Sequence, residues 1–163
     1  MTAAPTTPTD RVATGLLRVD PRRKLLPLAF FCVMTGLDTS AAMDLVEDGR
    51  LFPAFNIARV ATGKREVRVW RGAIESWRPD GPPPPRPALE SVIGASLPIL
   101  GVAPASNVTI VGIDLVRRWS VGRLFICRLI DAGELREVGR HGNNESPRIS
   151  YASAAKFLER RAI

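Results

Sequence analysis

The sequence predicts a mainly α fold with small β-hairpin wings, built from two tandem units. Three observations carry this. First, Leu45-Val46-Glu47-Asp48-Gly49-Arg50-Leu51 matches Leu129-Ile130-Asp131-Ala132-Gly133-Glu134-Leu135 at an offset of 84 residues. Both read as the end of an amphipathic helix, closed by a glycine able to take the left-handed conformation just past it. Second, Val67-Arg68-Val69 pairs with Arg148-Ile149 at an offset of 80, and the helix after it pairs Ile74 with Ala154 and Trp77 with Phe157. The change of offset puts a length difference in a hairpin loop, where it is tolerated. Third, the two matching stretches flank residues 78–88, which read RPDGPPPPRPA. Consecutive prolines favour a stiff polyproline II spacer and exclude helix and central strand. Two half-length copies of one unit is the economical reading.

The elements follow in order. Residues 1–20 are rich in Ala, Thr and Pro without hydrophobic periodicity and are expected to be a disordered tail. The first unit, 21–77, opens with a helix over Leu28–Thr35, a tight turn at Gly36-Leu37-Asp38, and a second helix over Thr39–Glu47 with Asp38 or Thr39 as its N-cap. An extended segment over 52–59, a turn at Thr62-Gly63-Lys64, a strand over 66–70 and a short helix to Trp77 complete it. Residues 78–106 are expected to be the Pro-rich linker and a connecting segment, within which 89–97 suits a helix and 98–104 a loop. The second unit, 107–163, repeats the order: a helix over 112–119, a turn at Ser120-Val121-Gly122, and a second helix over Arg123–Asp131. Strands over 135–139 and at Arg148-Ile149 surround His141-Gly142-Asn143-Asn144, and Ser150 caps a last helix over Tyr151–Arg161. The expected cores hold Leu45, Val46, Leu51 and Trp77 in one unit, and Leu129, Ile130, Leu135 and Phe157 in the other.

Composition bounds the function. The 163 residues carry a formal charge of +7, and of 23 cationic side chains 20 are Arg. Arginine suits bidentate contacts to phosphate and guanine, so a polyanionic partner comes first. Two cysteines and one histidine supply no zinc finger and no His-based metal site. Cys32 and Cys127 lie in apolar runs and read as buried free thiols of a reducing cytosol. No apolar stretch approaches the ~20 residues of a membrane span, so neither membrane insertion nor a membrane partner is expected, and a cytoplasmic location is. Arg22-Arg23-Lys24 before the apolar run 25–37 imitates a secretion signal, but Pro27, Thr35 and Gly36 interrupt that run. No convergent set of titratable groups reads as catalytic. His141 stands alone in a Gly/Asn-rich turn, Tyr151 lacks the separated Arg/His motifs of a recombinase, and Gly63-Lys64 is followed by Arg65 rather than Ser or Thr. A non-enzymatic protein without cofactor or metal is expected.

Helix, short turn, helix, hairpin and helix is the winged helix-turn-helix layout. Residues 113–160 resemble the DNA-binding domain shared by MerR-type regulators and phage or plasmid excisionases. The resemblance rests on Val121-Gly122-Arg123 and Arg128-Leu129-Ile130 before Gly133-Glu134-Leu135, then on Arg148-Ile149 and Phe157-Leu158. The first unit keeps Leu45-Val46, Gly49 and Leu51, Arg68-Val69 and Trp77. The resemblance implies a sequence-specific partner, double-stranded DNA, and a transcriptional regulator or an excisionase-like architectural factor. Recognition helices present N-terminal side chains to base edges, while wing cations hold phosphates. In the second unit this assigns Arg123 and Arg128 to the second helix, Arg117 and Arg118 to flanking phosphates, and Arg136, Arg140, Asn143, Asn144 and Arg148 to the wing. In the first unit Thr39, Ser40 and Met43 would meet bases, and Arg59, Lys64, Arg65, Arg68 and Arg71 would arm the wing. Two departures count against a simple transfer. Leu124 and Phe125 stand where small polar groups are usual, and Asp44 stands where the family has Arg. An adaptor that docks a protein partner of a phage, plasmid or DNA-processing complex, through Leu124 and Phe125 or the acidic face of the first unit, is the alternative.

Overall fold

The computed structural model describes residues 7–58, 65–97, 108–139 and 146–163. Its elements run α1 (Pro8–Leu17), β1 (Leu25–Pro27), α2 (Leu28–Thr35), α3 (Thr39–Glu47), β2 (Ala54–Asn56), β3 (Val67–Trp70) and α4 (Arg71–Ser76). The same order then returns as α5 (Leu89–Ser96), β4 (Thr109–Val111), α6 (Gly112–Arg118), α7 (Arg123–Asp131), β5 (Glu137–Gly139), β6 (Arg148–Ser150) and α8 (Tyr151–Arg161). The chain is two similar units, mainly helical, each with a three-stranded antiparallel sheet, ordered β1-β3-β2 and β4-β6-β5. β3 and β6 lie in different sheets, as a duplication requires. No single helix is long and apolar enough to cross a membrane among the described residues.

The duplication reaches into backbone detail. Gly49 and Gly133 take φ of 74° and 71°, each donating its N–H to the carbonyl three residues earlier. Leu51 and Leu135 then donate to Leu45 and Leu129, which closes each helix end in the same way. The turn between the first two helices repeats as well: Gly36 has φ of 79°, and Ser120, 84 residues on, has φ of 53°. In the first unit that turn sends α3 off at 115° to α2, within the range of helix-turn-helix crossings. Val46, Leu51, Trp77, Leu129, Leu135 and Phe157 are buried, while Leu45 and Ile130 are half-buried on the flanks of the cores. Trp77 meets Phe31 edge-on at 5.0 Å, and Phe157 stacks on Trp119 at 5.6 Å.

Ser120 carries two penalties. A β-carbon at positive φ is strained, and the buried Oγ has no hydrogen-bond partner among the described residues. Glycine removes both and adds only the entropy of a freer unfolded chain. Ser120→Gly is therefore expected to stabilise by about 1 kcal/mol, read as a higher urea midpoint at constant slope. A lower midpoint would show that the hydroxyl is satisfied in solution.

Two expectations need correction at the unit boundaries. Residues 8–17 form α1, not a disordered tail. Thr7 and Asp10 make a reciprocal capping box, Pro8 sits in the first turn, and Val12 and Leu16 are buried one turn apart against α2 and α4. α5 forms where a helix over 89–97 is expected, but it belongs to the second unit rather than to a linker: its Val92 and Ile93 and the following Leu97 enter the core beneath α8. Each unit thus begins with a helix ahead of its first strand.

The Pro-rich segment does not hold the units apart. It lies on the first unit, where Arg50 Nη2 donates to the carbonyls of Arg78 (3.2 Å) and Pro79 (2.7 Å) and the Arg86 guanidinium covers the Phe52 ring at 5.1 Å. The units pack directly. Strand alternation turns Leu26, Val69 and Ala54 into the first unit's own core and Leu25, Phe55 and Ile57 into the core of the second. The first sheet is therefore buried on both faces. Its β2 edge is covered by the end of the chain: Phe55 bridges Ala162, and Ile163 N–H donates to Ala54 O at 2.9 Å.

Candidate nucleic-acid interface

Each unit builds a cleft at the same place, between the start of α2 or α6, the exposed edge of α3 or α7, and the chain that enters β3 or β6. In the second unit the cleft is about 220 Å³, walled by Gly112 and Ile113, Arg123 and Cys127, and Ser146 and Pro147. In the first it is about 330 Å³, walled at matching positions by Leu28 and Ala29, Thr39 and Met43, and Glu66 and Val67. Gly112 lets α6 begin hard against the hairpin strand. Its N–H donates to Pro147 O at 2.8 Å, and a β-carbon there would stand 3.2 Å from that same oxygen.

Helical periodicity sorts the side chains of α7. Ile126 and Leu129 are buried, and Phe125 is half-buried against the same core. Arg123, Leu124 and Arg128 project outward, Leu124 with 62% of its surface exposed. Arg123 is held loosely by Ser146 Oγ, 3.5 Å from Nη2, and Arg128 meets no acid among the described residues. Around this edge Arg117 is exposed and stands 3.9 Å from Asp114, Arg136 is exposed, and Arg148 is half-buried on the outer face of the sheet. The N-cap of α7 is Gly122, which offers no side chain to the first-turn amides.

The matching helix of the first unit has the opposite sign. Asp38 Oδ1 accepts from Ala41 N–H at 2.8 Å and so already occupies the N-terminus of α3. Asp44, Glu47 and Asp48 are exposed along it, Thr39 and Ser40 are exposed at its start, and Met43 is half-buried. Arg65 is exposed and lies 3.7 Å from Glu47.

Three arginines expected at the nucleic acid are committed to the fold instead. Arg68 is 8% exposed, on the face of β3 turned to the second unit. Its Nε donates to Trp119 O (3.2 Å), and its Nη2 to Glu66 Oε1 (2.8 Å) and Ser120 O (3.4 Å). Burial pulls this guanidinium below its ordinary pKa, with Glu66 acting the other way. Arg71 pairs with Glu75 at 2.8 Å and donates to the carbonyls of Leu16, Val19 and Asp20, which ties the end of α1 to α4. Arg118 Nη1 donates to Ala95 O at 3.0 Å, near the end of α5. Equivalence to Arg148 gave Arg68 a wing role by position, but the second unit covers that face. Arg59, Lys64, Arg140, Asn143 and Asn144, with His141, lie outside the described residues.

Ser146 and Pro147 complete the cleft wall and were not singled out in the sequence; their place just before the matched Arg148 was the available signal. Among the described residues no three His, Cys, Asp or Glu side chains converge as metal ligands. Cys32 and Cys127 are unpaired and half-buried. Burial, chiefly, pushes the Cys32 thiol up from its ordinary pKa. Comparison with protein-family models, with curated proteins and with solved structures finds no match to this chain.

Proposed function

We propose that this protein is a non-enzymatic, sequence-specific binder of double-stranded DNA that reads the duplex through its second unit. The observation that carries the reading is the outer edge of α7. Arg123 and Arg128 project from the second helix of a helix-turn-helix beside a hairpin strand, uncommitted to the fold, with Arg148 on the adjoining sheet and Arg136 exposed just before β5. An exposed α-helix fits the major groove, and arginine is the side chain that bonds both O6 and N7 of a guanine edge. The layout supports the resemblance to MerR-type and excisionase DNA-binding domains, and with it a regulator or an architectural factor. The first unit is read as support for the second: α3 carries Asp38, Asp44, Glu47 and Asp48 toward solvent and would repel phosphate.

The test separates reading from holding. Arg123→Ala is expected to lose about 1–3 kcal/mol on the preferred duplex and to flatten discrimination at one base pair. Arg136→Ala should weaken all duplexes alike and lower the salt slope by about one. Competition between matched and scrambled duplexes at two salt concentrations measures both. Binding to a protein partner, with no loss of duplex affinity as salt rises, would favour the adaptor instead.

A further inference from the structure

Leu124 is the anomaly on this edge. It occupies the second position of α7, in the turn that a recognition helix presents to base edges, and it is a large apolar side chain left 62% exposed. Its neighbour Phe125 turns back into the core, so the exposure is not shared by the whole segment. Arg123 precedes it, and Arg128 lies one turn on along the same stripe, at i+4. An apolar spot framed by two uncommitted cations fits a polyanion that offers a small apolar group between its charges. The major groove does this at one base: thymine, whose C5 methyl projects beside the acceptor edges of its neighbours.

Resting on the DNA-binding reading, we infer that Leu124 is a specificity residue whose isobutyl group packs on a thymine methyl in the major groove, next to the guanine edge taken by Arg123. The preferred site would then hold a guanine and a thymine in adjacent base pairs. Two other partners share part of this chemistry. An anionic membrane attracts cations around an apolar tip, but one leucine at the end of a short helix is a small anchor. A leucine wedge between base pairs in the minor groove would be indifferent to the methyl and would kink the duplex.

The experiment uses the whole chain. A preferred duplex is selected from a randomised pool, and each thymine is then replaced singly by deoxyuridine, which deletes the methyl and keeps the base pair. One replacement should weaken binding about fourfold, the value of one buried methyl-sized group. In Leu124→Ala that replacement should have no further effect, while substitution of the guanine should still weaken binding. Leu124 is exposed, so the variant keeps the fold, and circular dichroism checks this. Neutral replacement of every thymine, a methyl effect that survives in Leu124→Ala, or a methyl-insensitive bend that the variant abolishes would each overturn the inference while leaving the DNA reading intact. Failure to select any duplex, or flotation with phosphatidylglycerol vesicles that depends on Leu124, would overturn both.

Discussion

Phe55→Ala is expected to cost about 3–5 kcal/mol and to split one unfolding transition into two. Phe55 belongs to β2 of the first unit, yet its ring is fully buried in the core cluster of the second, with Leu25 and Ile57. Among the described residues, polar ties also join the units: Lys24 N–H to Arg118 O at 2.9 Å, the Arg68 bonds to Trp119 and Ser120, and the Ala162–Ile163 edge against β2. Removing the ring leaves a cavity at the joint, and the last of these ties rests on the same strand. Calorimetry should show the wild type melting once, and the variant melting in two steps with the lower one shifted down by roughly 10 °C. A single, unshifted transition would show that the Phe55 ring contributes nothing to the joint. The functional stake is geometric, because a packed joint fixes α3 and α7 relative to one another, whereas a polyproline spacer would leave them adjustable.

What was legible in the sequence follows from which signals are local. α2, α3, α7 and α8 end where expected because each is stopped within the chain itself, by Gly36, by Asp48-Gly49, by Ala132-Gly133, or started by Ser150, whose Oγ accepts from Ser153 N–H at 3.4 Å. β1 and β4 escaped because Leu25-Leu26-Pro27 and Thr109-Ile110-Val111 are too short to display a period of two. α1 escaped because its Ala/Thr/Pro composition concealed a signal that was present, the capping box of Thr7 and Asp10 ahead of Val12 and Leu16. The edge of α7 was legible in part: a 3.6-residue period turns Leu124 and Arg128 away from Ile126 and Leu129, while Arg123, in the first turn, sits at the border of that exposed face. Arg68 and Arg71 were not, because their roles depend on long-range partners: a second unit at Trp119 and Ser120, and a helix end at Leu16. The hint for Arg68 lies in β1, where two consecutive leucines, Leu25 and Leu26, announce a strand buried on both faces.

Trp119→Ala should be the other severe lesion, at about 3–5 kcal/mol, and it tests how the second unit holds its shape. Trp119 follows α6 and is fully buried. Its ring stacks on Phe157 of α8 at 5.6 Å with 17° between the planes, and its Nε1 donates to Ser96 O at 3.2 Å, at the end of α5. The same residue's carbonyl accepts from Arg68 Nε at 3.2 Å, so one position joins three helices and the neighbouring unit. Alanine removes the ring and orphans the Ser96 carbonyl while leaving the Arg68 bond, which uses backbone. Trp119→Phe separates the terms: it keeps most of the buried area and the stacking partner, and should lose about 1–2 kcal/mol for the missing indole N–H. Urea titration followed by circular dichroism ranks the three proteins. Since Trp119 is buried and distant in role from the exposed Arg123, the phenylalanine variant should bind duplex like wild type at temperatures where it is folded. Equal stability of the alanine and phenylalanine variants would show that the ring packing contributes nothing.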